Sequence, residues 1–270
     1  MTKDKKILIL DIDGTLVNSR KEITPLTLSY LHEIQEKGHI VALASGRPYP
    51  GMKGYAEQLG LDKMGGYAVS FNGARIISCR DGSAVYEKTM PNHYLKDIYN
   101  YATEHGIGMV TYKDDMVVTG TRIDDYMEYE ARLNYMPLKH IDNFCEEVDF
   151  DMVKCLLTAE PEYAAQCEKE LYDMLSPELN VFRSEPYFIE ITMQGVDKAE
   201  SIDHLLKILD IPRENSICCG DGFNDLTMVK YAGIGVAMEN AQQIVKDNAD
   251  YITASCDDDG IVQVIKEFIL

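Results

Sequence analysis

The 270-residue chain carries 45 acidic and 26 basic side chains, a formal net charge of −19 at pH 7. A field of that sign repels nucleic acid and anionic membranes, so neither is expected as a partner, and it repels an anionic substrate unless a metal ion or lysine inverts the local potential. Hydrophobic residues reach 46%, enough for a full core, yet no aliphatic run approaches the roughly 20 residues of a membrane-spanning helix.

In chain order, the apolar run 7–10 predicts a strand over 6–10. Residues 1–6 are charged and lead straight into it, without the apolar stretch of a signal peptide. Thr24 and Pro25 open a helix to about residue 37, stopped by Gly38. Residues 40–44 read as a second strand, Pro48 starts another helix, and a third strand over 67–71 ends in Asn72-Gly73. The stretches 75–79 and 84–88 around Asp81-Gly82 read as a hairpin.

From Pro91 the character changes. Helices are expected over 92–105, 124–133 and 162–175, with strands over 107–112, 116–120, 152–158 and 179–184. These strands look like partners in an antiparallel sheet with helices on one face. After Pro186 the βα alternation returns, with strands over 187–192, 216–219, 234–237 and 250–252 and helices between and after them. Such alternation means parallel strands with helices on both faces. The expected fold is α/β. A Rossmann-like parallel-sheet core, residues 1–86 and 187–270, is interrupted by an inserted α+β cap over 87–186.

In an open parallel sheet, ligands sit beyond the carboxyl ends of the strands. Four strand ends here carry unusual chemistry: Asp11-Ile12-Asp13-Gly14-Thr15, Ser45-Gly46-Arg47, Asn72-Gly73, and Gly220-Asp221-Gly222-Phe223-Asn224-Asp225. Asp11 and Asp13, at i and i+2, face one side of an extended segment. Two carboxylates so close, at the mouth of a buried strand, need a cation or a chemical task. Asp11 and Asp221 offer the hard oxygens that Mg²⁺ prefers, with Asn224 and Asp225 nearby. Ser45 offers a hydroxyl and Gly46 an unhindered N–H near a helix start, a setting that suits phosphate oxygens. Lys198, opening a helix after Gly195-Val196-Asp197, can spread positive charge over a transferring group. Together these features predict a phosphoryl-transfer site.

The motifs Asp11-Ile12-Asp13-Gly14-Thr15-Leu16, Ala44-Ser45-Gly46-Arg47, Phe71-Asn72-Gly73-Ala74, Lys198 and Gly220-Asp221-Gly222 with Asn224-Asp225 occur in this order along the chain. In that order they resemble the haloacid dehalogenase-like (HAD) superfamily, specifically its Cof-type phosphatases with a C2-type α/β cap. Met228, Tyr231-Ala232-Gly233, Asn240-Ala241 and Asp259-Gly260-Ile261 extend the resemblance over the whole chain, most weakly in the cap. The resemblance implies a set of roles. Asp11 is a nucleophile forming an aspartyl-phosphate, and Asp13 is the general acid and then base. Ser45, Gly46 and Lys198 bind phosphate. Mg²⁺ is held by Asp11, Asp221 and the backbone carbonyl of Asp13, and Asn224 and Asp225 support the metal and Lys198. Arg47, Asn72 and Gly73 are candidates for substrate contact.

The leading expectation is a Mg²⁺-dependent phosphatase for a small phosphorylated metabolite, most naturally a sugar phosphate. A sugar phosphomutase or phosphotransferase would use the same aspartyl-phosphate. A phosphate-sensing module is the non-enzymatic alternative, although binding alone does not need the second acid, Asp13. The seven scattered cysteines, without a Cys-x-x-Cys, fit a reducing cytoplasm, the expected compartment. None of the six histidines has metal-ligand spacing. The oligomeric state stays open between monomer and weak dimer.

Overall fold

The computed structural model describes residues 5–270. The first four residues, where the charged N-terminal segment begins, lie outside the described residues. In chain order the strands are β1 (Ile7–Leu10), β2 (Ile40–Ala44), β3 (Tyr67–Ser70), β4 (Arg75–Ser78), β5 (Ala84–Glu87), β6 (Gly108–Lys113), β7 (Met116–Thr119), β8 (Leu138–His140), β9 (Cys155–Thr158), β10 (Leu179–Glu185), β11 (Phe188–Met193), β12 (Ser216–Gly220), β13 (Ile234–Ala237) and β14 (Tyr251–Ile252). They form two sheets, ordered β14-β13-β12-β1-β2-β3-β4-β5 and β10-β11-β9-β6-β7-β8. The chain divides into two compact units: the chain up to Tyr86 together with Asp197–Leu270, and the insert Glu87–Val196.

The sheet of the first unit is parallel from β14 to β3, with β4 antiparallel to β3. β1 is central, and all four of its residues are buried. A strand covered on both faces needs such an unbroken apolar run. Leu10 sits level with Leu43 of β2 and with Cys219 of β12. The three strands therefore end almost in step, and Asp11, Ser45 and Asp221 leave the sheet at one edge. The helix Lys198–Leu209 begins where the Asp197 carboxylate accepts the Glu200 N–H at 2.9 Å, a side-chain N-cap. Its Ile202, Leu205 and Leu206 are buried in the core of this unit, which fixes the direction from which Lys198 enters.

In the insert, β10-β11-β9-β6-β7 pair antiparallel and β8 joins β7 in parallel. The helices Leu95–Glu104 and Pro161–Leu175 bury Ile98, Ala102, Ala164 and Leu171 against Met109, Cys155, Leu157, Ile189 and Ile191. The strand expected over 187–192 was assigned to the catalytic core, but β11 belongs to this second sheet, between β10 and β9. The reason is its pattern. Ile189 and Ile191 join the apolar cluster while Glu190 and Thr192 alternate with them, the period-two pattern of an antiparallel strand rather than that of β1. The expected boundary at 186/187 accordingly moves to Val196/Asp197.

Among the described residues, no helix is long and apolar enough to cross a membrane. All seven cysteines are free, and Cys155, Cys218 and Cys219 are buried.

Candidate active site

Beyond the ends of β1, β2 and β12, one buried cation gathers several segments. The ammonium of Lys198, 0% exposed, donates to Asp11 Oδ1 at 2.7 Å, to Asp225 Oδ1 at 2.5 Å and to the Ala44 carbonyl at 2.9 Å. All three of its donors are thus used. Burial opposes its charge, but Asp11 and Asp225 outweigh burial and hold its pKa above the ordinary lysine value.

The negative side is in excess. Oxygens of Asp11, Asp221 and Asp225 lie within 4.8 Å of one another. Burial, and then the neighbouring Asp225, push Asp11 up to about 8, against the opposing pull of Lys198. Burial and Asp225 also push Asp221 up to about 6. Three carboxylates against one ammonium are what a divalent cation would relieve. The open atoms fit that reading. Asp225 is saturated, because its Oδ2 accepts the N–H groups of Asp221 and Gly222, each at 2.9 Å. Asp221 Oδ1 accepts the Thr15 hydroxyl at 3.1 Å. Among the described residues, no donor meets Asp11 Oδ2 or Asp221 Oδ2.

Asp13 lies in a different setting. Arg47 grips it with two donors, Nε to Oδ2 at 2.9 Å and Nη2 to Oδ1 at 3.0 Å, and Lys21 Nζ reaches Oδ1 at 2.8 Å. Burial would raise its pKa, but the hydrogen bonds and charges of Arg47 and Lys21 hold it below the usual carboxylate range. Ser45 is buried and its Oγ accepts the Arg47 N–H at 3.3 Å. The following helix, Tyr49–Gln58, starts four residues beyond Ser45.

The remaining candidates fall into place with some differences. Arg47, read as a substrate contact, is engaged with Asp13. Asn224, read as support for the metal and Lys198, donates to Asn72 Oδ1 at 3.1 Å, and Lys198 takes its three acceptors elsewhere. Asn72 stands in the left-handed region at φ 53°, directly beside the Ser45-Gly46 turn, where its backbone N–H donates to the Ser45 carbonyl at 3.0 Å. Gly73, also read as a substrate contact, is a packing position. A Cβ there would stand 2.2 Å from the Asp197 carbonyl, at the start of the Lys198 helix. Its own carbonyl accepts the Ser201 hydroxyl.

Sequence reasoning missed three residues of the site: Lys21, Thr15 and Asn240. Asn240 Nδ2 donates to the Gly14 carbonyl at 2.8 Å and its Oδ1 accepts the Cys256 N–H at 2.9 Å, bracing the turn after Asp13. Thr15 and Asn240 lie within quoted motifs, which signalled that they matter without saying how. Lys21 lies outside every motif.

A model of the haloacid dehalogenase-like hydrolases matches residues 8–265. The chain belongs to that family. Its structure is similar to a haloacid dehalogenase-like hydrolase from Bacteroides thetaiotaomicron, with a TM-score of 0.91 and 41% identity over 97% of this chain and 98% of that one. It is also similar to the HAD subclass IIB sugar phosphatase BT4131, with a TM-score of 0.80 and 26% identity over 98% and 99% of the two chains. In sequence it is 28% identical, over 97% of each chain, to the Bacillus subtilis 5-amino-6-(5-phospho-D-ribitylamino)uracil phosphatase YitU. The hydrolase thus shares nearly its whole length with two proteins named phosphatases.

Gly14 is a second tightly constrained position in this site. It sits at φ +83°, and a Cβ would stand 2.4 Å from Asp221 Oδ2. Gly14→Ala is expected to lower stability by at least about 1 kcal/mol, read from a urea midpoint, and to displace Asp221, read as a loss of hydrolysis.

Proposed function

We propose that the hydrolase is a Mg²⁺-dependent phosphomonoesterase acting on a small phosphorylated metabolite, a sugar or sugar-alcohol phosphate, through an aspartyl-phosphate on Asp11. The observation that carries this reading is the open Oδ2 of Asp11, whose other oxygen is fixed by Lys198 at 2.7 Å. A carboxylate held at one oxygen and free at the other is positioned to attack.

In the first step Asp11 Oδ2 forms a bond to phosphorus as the bond to the leaving oxygen breaks, and Asp13, which must take up a proton against the pull of Arg47 and Lys21 before this step, gives that proton to the leaving oxygen. In the second step Asp13 takes a proton from water as the water oxygen bonds to phosphorus. The Asp11–phosphorus bond breaks, releasing phosphate and the free Asp11 carboxylate. The Ser45 hydroxyl and the Gly46 N–H orient the phosphoryl oxygens, and Lys198, its three donors held by Asp11, Asp225 and the Ala44 carbonyl, contributes positive charge beside them. Mg²⁺, held by Asp11, Asp221 and the Asp13 carbonyl, would supply the charge that offsets the phosphoryl group. The substrate class is supported by the relatives: one is named a sugar phosphatase, and another a phosphatase for a ribitylamino compound.

Phosphate release from a panel of sugar phosphates, sugar-alcohol phosphates, nucleotides and an aryl phosphate tests the proposal. Release is expected with Mg²⁺, to vanish with chelator, and to fall in folded Asp11→Asn on the order of 10⁶-fold, as when a covalent nucleophile is removed. Wild-type-like turnover by Asp11→Asn would overturn it. Isomerised sugar phosphate without free phosphate would point to a mutase instead.

Metal affinity should depend on pH. With Asp221 raised to about 6 and Asp11 to about 8, protons occupy the ligand oxygens below those values and compete with Mg²⁺. Calorimetric Mg²⁺ affinity is expected to strengthen as pH rises from 5 to about 8. Flat affinity over that range would contradict the assigned ligands.

A further inference from the structure

The segment after β3 is held in a conformation that its residues do not favour. Phe71 and Asn72 both stand at φ 53° and Gly73 at φ 109°. Glycine enters positive φ freely, asparagine less so and a bulky residue such as phenylalanine least. Strain of this kind persists where the surroundings enforce it, and it gathers at functional sites. The turn after β2 enforces it here. The Phe71 N–H donates to the Arg47 carbonyl and the Asn72 N–H to the Ser45 carbonyl, each at 3.0 Å, so the segment is laced to that turn on both sides of Gly46. The Asn72 carboxamide then lies over Gly46: a Cβ on that glycine would stand 3.1 Å from Asn72 Nδ2 and 3.2 Å from its Oδ1. The Oδ1 is fixed by Asn224 Nδ2 at 3.1 Å, from the loop after β12. Among the described residues, no acceptor meets Asn72 Nδ2, so the donor side of this carboxamide is unspent.

From this geometry we infer that Asn72 binds the phosphoryl group itself: its Nδ2 donates to a non-bridging phosphoryl oxygen, beside the Ser45 hydroxyl and the Gly46 N–H. The inference rests on the phosphatase reading above, and it assigns the carboxamide to the transferring group rather than to the organic part of the substrate. A neutral donor suits this place, because it meets an anion without entering the ion pairs of Asp11, Asp225 and Lys198. During transfer the charge spreads over three equatorial oxygens, so a donor fixed in advance gains most in the transition state. The backbone bonds to the 45–47 turn and the Asn224 contact supply that fixing.

The test measures calorimetric binding of inorganic phosphate and of orthovanadate, with Mg²⁺, to the full chain. Asn72→Gly removes the carboxamide and suits the positive φ. Asn72→Asp keeps an acceptor for Asn224 but replaces the donor with an oxygen. Orthovanadate affinity is expected to fall about 10- to 100-fold in Asn72→Gly, as when a hydrogen bond to a charged group is lost, and at least as far in Asn72→Asp. The melting temperature of Asn72→Gly should stay within about 2 °C of wild type or rise. For a sugar phosphate and an aryl phosphate, kcat/KM should fall by one common factor, since the phosphoryl group is what they share. Full affinity retained in Asn72→Asp would mean that the carboxamide only braces Asn224. A loss confined to the sugar ester would mean that it reads the organic part. Either result overturns the inference, as does unchanged binding in Asn72→Gly. If the wild type binds neither anion and releases no phosphate, the phosphatase reading fails and the inference falls with it. If the wild type binds both and Asn72→Gly matches it, only the role of Asn72 fails.

Discussion

The buried ammonium of Lys198 is the contact on which the site depends. Bringing Asp11, Asp221 and Asp225 to one sheet edge would be strongly unfavourable without a cation, and an ammonium removed from water is equally unfavourable without acceptors. Each offsets the other. Lys198 meets Asp11 after β1, Ala44 at the end of β2 and Asp225 after β12, so one side chain ties three strand ends to the helix that carries it. The compensation is incomplete. The charge left over makes the cluster a natural place for a divalent cation and, with it, a phosphate.

Asp11 and Asp13, two residues apart, are driven in opposite directions. Asp11 is buried, crowded by carboxylates and raised, whereas Asp13 is partly exposed, flanked by Arg47 and Lys21 and lowered. In the usual pairing of two carboxylates the raised one is the acid, so the proposed roles need a cation bound at Asp11 to displace its proton and a proton placed on Asp13. Both lie just beyond the end of β1 at Leu10, and the surrounding cations distinguish them.

The core of this picture was legible in the sequence because it rests on local rules. Ile7–Leu10 is a continuous apolar run, as a doubly covered strand must be, and polar loops at strand ends mark the ligand edge of a parallel sheet. What escaped depends on contacts between distant residues. That Arg47 turns to Asp13, that Asn224 pairs with Asn72, and that Gly73 lies against Asp197 follow from packing that spacing does not encode. Lys21 gives almost no sequence signal, since an exposed turn lysine is ordinary. β11 is a different case. Glu190 and Thr192 alternate with Ile189 and Ile191, so its placement in the second sheet was readable, but the return of βα alternation nearby masked it.

The most direct test of Asp11 as a covalent nucleophile is the stereochemical course at phosphorus, followed with an isotopically chiral phosphorothioate monoester hydrolysed in water of the third oxygen isotope. Each in-line displacement inverts the configuration. Attack by Asp11 and then by water therefore predicts overall retention. Inversion would mean that water attacks the ester directly, and would contradict the aspartyl-phosphate.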